Sequence, residues 1–89
     1  MEERRRYRRQ RVLKGAIIFF NRERSSMDCI VRDLTEVGAH LKVESTSFVP
    51  TRFELLIKQE NTLYPAEIIW RDTKAMGIRF TGAARRLHE

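Results

Sequence analysis

A single cysteine, Cys29, rules out an internal disulfide and, with no second thiol, a cysteine-rich zinc site. Long apolar stretches are also missing. The longest, Ala16–Phe20, is far too short to cross a bilayer. No apolar segment follows the basic N-terminus, so the start does not read as a secretory signal and a cytoplasmic protein is the expectation. The two histidines, His40 and His88, lie far apart without companion ligands, which argues against a metal site. No Ser-His-Asp or Cys-His arrangement stands out, and nothing marks Asp28 and Asp33 as a catalytic pair. The expectation is therefore a protein that is not an enzyme and needs no cofactor. Repeats, proline-rich linkers and long amphipathic helical patterns are absent as well.

What is present is a small body and a cationic tail. Eighty-nine residues make one domain, and 42% hydrophobic residues permit a core while 34% charged residues leave little to spare. The net charge of +6 is unevenly placed: residues 1–11 (MEERRRYRRQR) hold six arginines and two glutamates, whereas the rest of the chain is nearly balanced. A locally basic tail points to a phosphorylated or polyanionic partner. Every cation in it is arginine, the side chain suited to planar, two-pronged recognition of phosphate and to stacking on rings; a nonspecific DNA-binding tail would mix in lysine. Like charges repel and nothing there can be buried, so residues 1–11 are expected to be flexible.

The remainder reads as short strands separated by polar turns. Val12–Phe20 is rich in β-branched and aromatic residues. Met27–Leu34 sets Met27, Cys29 and Val31 against Asp28, Ile30 and Arg32, the alternation of a half-buried strand. Ala39–Val43 is a short strand with Leu41 and Val43 on one face, and Arg52–Lys58 places Phe53, Leu55 and Ile57 together. Leu63–Trp70 puts Tyr64, Ala66, Ile68 and Trp70 on one face, and Ala75–Phe80 turns Met76, Ile78 and Phe80 inward, with Trp70 close to Met76 across the last hairpin. Trp70 and the phenylalanines are expected in the core, as is the Cys29 thiol. Six strands at this spacing predict an all-β fold, a small six-stranded antiparallel β-barrel over residues 12–82, with the tail 1–11 before it and a short tail 83–89 after it that makes a turn of helix or frays.

Two motifs then stand in order: Arg5-Arg6-Tyr7-Arg8-Arg9, of the form RxxxR, and Asp33-Leu34-Thr35-Glu36-Val37-Gly38 at the turn between the second and third strands. Taken alone, the second is an ordinary turn in which Asp33 or Thr35 bonds its own backbone. Together with the strand order they resemble the PilZ domain, whose pattern is RxxxR followed by [D/N]xSxxG, and the resemblance covers about residues 3–80. It implies a receptor for the bacterial second messenger cyclic di-GMP. It implies that Arg5 and Arg9 fork onto phosphate or guanine, with Arg4, Arg6 and Arg8 beside them, and that Asp33 accepts from guanine N–H groups. Thr35 would offer a hydroxyl, and Gly38 a positive φ or a close ligand approach. Arg4 and Arg8 also fit RxxxR, and Arg11 is near, so both registers stand. Arg4 precedes the first register, a position that in the family influences whether one ligand or a stacked pair is held. Thr35 departs from the family's serine, keeping the hydroxyl and adding a methyl group.

On this reading the tail clamps ligand and the barrel acts as an adaptor for a downstream protein. Two other classes compete. One is a PilZ-like protein-interaction module that binds no nucleotide, against which both motifs count. The other is a nucleic-acid-binding barrel with a basic arm, against which the near-neutral body counts.

Overall fold

The computed structural model describes residues 10–22 and 24–87; the expectations for Arg4, Arg5, Arg6, Arg8, Arg9 and His88 fall outside the described residues. Seven strands follow in order: β1 (Gln10–Phe20), β2 (Ser25–Leu34), β3 (Gly38–Val43), β4 (Arg52–Ile57), β5 (Thr62–Arg71), β6 (Ala75–Phe80) and β7 (Arg85–Arg86), with no helix among the described residues. They run side by side as β4-β1-β2-β3-β6-β5-β7, and a β4–β5 pairing closes the first six into an antiparallel barrel. Closure follows from the sequence pattern. Each strand has one apolar face, and wrapping the sheet buries those faces together while pairing the two strands that would otherwise be edges.

The core is assembled almost one strand at a time: Ile18, Val31, Leu41, Leu55, Ile57 and Met76 are fully buried, with Ala66 from β5 beside them. Each such aliphatic side chain contributes about 1.5–3 kcal/mol of transfer free energy. The loop after β3 seals one end of the barrel. Thr46, the buried polar residue there, donates from its hydroxyl to the Asp72 carbonyl at 2.6 Å, and the Arg71 guanidinium donates to the Thr46 carbonyl at 2.7 Å.

Three details differ from the sequence reading. First, β1 opens at Gln10, so Gln10 and Arg11 already pair with Leu34 and Asp33. Second, the C-terminal residues make neither helix nor fray up to Leu87: Arg85 and Arg86 pair with Leu63 and Thr62. The Asn61 side chain donates to the Leu87 carbonyl at 2.9 Å while the Leu87 N–H donates to the Asn61 carbonyl at 2.8 Å, a reciprocal clasp that composition alone does not announce. Third, Trp70 is not core. It pairs with Gly77, leaving Arg71 opposite Met76, and is 47% exposed; Phe48 is exposed too.

Cys29 sits where the alternation puts it, buried on the inner face of β2. Burial, reinforced by the Asp28 carboxylate and opposed by Lys58, pushes its thiol from the ordinary 9.0 up to about 12. The folded thiol stays protonated where an unfolded one ionises, so unfolding is favoured as pH rises from 9.0 towards about 12, and nothing is lost below that window. The thiol will resist iodoacetamide at pH 8 until urea unfolds the barrel. The urea midpoint of the native protein will fall relative to that of Cys29→Val between pH 9 and 11.

Candidate ligand-binding site

In a regular strand, side chains two apart share a face. The barrel breaks this rule at three register shifts: in β1 between Arg11 and Lys14, in β2 between Val31 and Asp33, and in β5 between Ile68 and Trp70. Val31 points into the core, and an unbroken strand would send Asp33 after it; Ile68 packs on the core, and Trp70 would follow. The extra residue at each shift turns Asp33 and Trp70 to the outer surface. One transverse row results: Arg11 opposite Asp33, Asp33 opposite His40, His40 opposite Gly77 and Gly77 opposite Trp70.

The row is knit by side chains. His40 Nδ1 lies 3.4 Å from Asp33 Oδ2, and the His40 ring meets the Trp70 indole edge-on, with centroids 5.3 Å apart and planes at 71°. The indole lies across Gly77, where any Cβ would strike Trp70 Nε1. Glycine there is what lets an aromatic ring lie flat on the sheet.

The turn after β2 is held by Thr35. Its hydroxyl accepts from the N–H groups of Val37 and Gly38 at 3.1 and 3.0 Å and donates to the Gly38 carbonyl at 3.2 Å. The Thr35 N–H donates to the same carbonyl at 2.9 Å. The hydroxyl therefore shapes the loop, as the plain-turn reading has it. Gly38 has no positive φ. It is glycine because β6 runs so close that a Cβ would collide with the Ile78 carbonyl oxygen. The Phe80 N–H, donating to the Val37 carbonyl at 2.7 Å, also ties the turn to β6.

Asp33, Thr35 and Gly38 thus meet in one cleft of about 380 Å³, completed by His40 and Trp70 and edged by Arg79. That volume lies within the usual range for small-molecule sites. Asp33 also borders a second hollow of about 510 Å³ that Arg11 and Arg32 help to line. Arg79 is held at the rim by Glu67 at 2.8 Å, and this hydrogen bond keeps the Glu67 carboxyl below the usual carboxylate range. The cleft thus offers a flat aromatic surface, an acceptor and a backbone turn, with guanidinium groups beside it. Such a set suits a planar heterocycle carrying an anion.

The PilZ domain family model matches residues 3–89. The chain belongs to the PilZ family. PilZ domains are binding modules known as receptors for cyclic di-GMP and are in general not enzymes. No curated protein matches the chain. Among the described residues no helix is long and apolar enough to cross a membrane, and no cluster of His, Cys, Asp and Glu is placed to hold a metal ion.

Within this PilZ domain, sequence reasoning missed Trp70, Arg32 and the part played by His40. A signal for Trp70 was present: Ile68-Ile69-Trp70 is an unbroken apolar run where alternation should continue, and Gly77 interrupts the facing strand.

Gly38→Ala will lower the unfolding free energy by about 1–3 kcal/mol, because backbone rather than a movable side chain blocks the new methyl; urea denaturation reads this. The atoms nearest a Gly77→Ala methyl belong to the movable indole, so its main effect will be to lift Trp70 off the sheet. The measurement is tryptophan emission, which should move to longer wavelength in the folded protein.

Proposed function

We propose that this PilZ domain is a cyclic di-GMP receptor that works by binding and not by catalysis. The observation that carries the reading is the convergence of Asp33, the Thr35–Gly38 turn and the exposed Trp70 on one cleft beside the point where the chain enters β1. Gln10 pairs with Leu34 and Arg11 with Asp33, so the arginines ahead of Gln10 are tethered next to that cleft. A chain segment reaches at most about 3.5 Å per residue, which keeps both Arg9 and Arg5 within range of a ligand seated there.

The chemistry is complementary. A guanine can stack on the indole while Asp33 accepts its N–H donors. The two phosphodiesters can take forked hydrogen bonds from Arg5 and Arg9, with Arg4, Arg6, Arg8 and Arg11 adding charge. Phosphate would neutralise arginines that otherwise repel one another, so ligand binding folds the tail over the cleft. The ordered tail becomes a new surface for a downstream protein. Cyclic di-GMP is an intracellular messenger, so this role belongs to the cytoplasm.

Calorimetric titration with cyclic di-GMP, with GTP and cyclic GMP as controls, tests the reading. Saturable binding of cyclic di-GMP alone is expected, and the stoichiometry will count one ligand or a stacked pair. Replacing Arg5 and Arg9 together should abolish it. Asp33→Ala and Trp70→Ala should each weaken it about ten- to hundredfold, the size of one charge-assisted hydrogen bond or one stacked base. A folded sample that takes up none of the three ligands would overturn the receptor reading in favour of a nucleotide-independent interaction module.

A further inference from the structure

A second cleft, of about 560 Å³, shares no lining residue with the first. It forms where β1 and β4 part. Their ladder runs from Ala16 opposite Ile57 to Phe19 opposite Glu54 and goes no further, while β4 continues alongside β5 to Arg52. Phe20 and Phe53 help to line the opening, and Arg22, Arg52 and Arg85 stand around it. These arginines come from three distant parts of the chain: the β1–β2 turn, the first residue of β4, and β7. Glu54 is the carboxylate among the described lining residues, and it lies 3.6 Å from Arg85.

The backbone at Arg22 adds an independent observation. Arg22 has φ 58° and follows Asn21 at φ 54°. Asparagine tolerates this left-handed region; a residue with arginine's long side chain gains nothing from it and costs the fold stability. Asn21 is tied down by its side-chain hydrogen bond to Ser25 Oγ at 3.1 Å, and Arg22 is exposed at the lip of the cleft. A strained arginine on a tight turn, converging with two others on an apolar floor, reads as a recognition element.

We propose that this arginine-rimmed cleft is a docking site for an extended, acidic peptide segment of a partner protein. Charge complementarity names the occupant. Guanidinium groups fork onto carboxylates, and the phenylalanine-lined floor takes an apolar side chain between them. An opened seam between two strands suits an extended segment. A nucleic acid fits less well, because Glu54 stands among the arginines and the body of the chain is nearly balanced in charge rather than basic along a track.

The test is selection of a random dodecapeptide library on the wild-type protein without nucleotide, with affinities then measured on synthetic peptides. Selected sequences should carry Asp or Glu on both sides of an apolar residue. They should bind Arg22→Glu/Arg52→Glu/Arg85→Glu at least about tenfold more weakly and lose affinity as salt rises. Arg22→Asn keeps a residue suited to the turn, so it should retain or raise the thermal midpoint while weakening peptide binding, which separates recognition from folding. Both proteins should bind cyclic di-GMP as the wild type does, so this proposal and the receptor reading stand or fall separately. Selection without acidic enrichment, or peptides that bind the charge-reversed protein equally well, would overturn the proposal. Tighter binding of an oligoadenylate than of any selected peptide, lost in the charge-reversed protein, would assign the cleft to nucleic acid instead.

Discussion

A β-strand presents its side chains with a period of two, and the outer face of this barrel depends on breaking that period where β1, β2 and β5 pass the same level. Without the shifts, Asp33 and Trp70 would be driven into a core already filled by Val31, Leu41 and Met76. With them, an acid on β2, an imidazole on β3 and an indole on β5 meet on one face, the indole reaching over Gly77 of the intervening β6. A bulge leaves a residue without a regular partner and weakens the ladder locally. Placing three at one level is tolerated because the barrel is closed, so each bulged strand is still held by neighbours on both sides.

The two glycines beside this row serve the same end by different means. Gly38 lets the loop after β2 press directly against the backbone of β6. Gly77 provides a bare patch of sheet for an aromatic ring. Thr35 completes the arrangement by accepting from the N–H groups of Val37 and Gly38. The cleft is therefore held in shape by its own hydrogen bonds and close backbone packing on its barrel side.

The two clefts lie apart on the barrel's surface. One gathers residues from β2, β3, β5 and β6 around an acid and an indole; the other gathers β1, β4, β5 and the C-terminal segment around arginines and phenylalanines. β5 lines both, with Trp70 at one and Pro65 and Ala66 at the other. On the proposed reading, this separation would leave one surface for the messenger and another for a partner segment, so that both could be occupied at once.

Much of this was legible in the residues. Six strands and most of their inward faces followed from period-two alternation, as at Cys29 and Val31 in β2 or Phe53, Leu55 and Ile57 in β4, though not at Trp70 in β5. The Asp33–Gly38 turn was readable because threonine and glycine at that spacing have few other uses between two strands. By itself the sequence determined the all-β class, the strand order along the chain, the buried thiol and the family. Only the tertiary structure decided which way Asp33 and Trp70 face, why Gly38 must be glycine, and that Arg22, Arg52 and Arg85 share one cleft. Local patterning reports each residue's preference relative to its neighbours in the chain. Bulges, strand-to-strand approach and the opening of a seam depend on pairing between segments far apart, and no local pattern encodes that register.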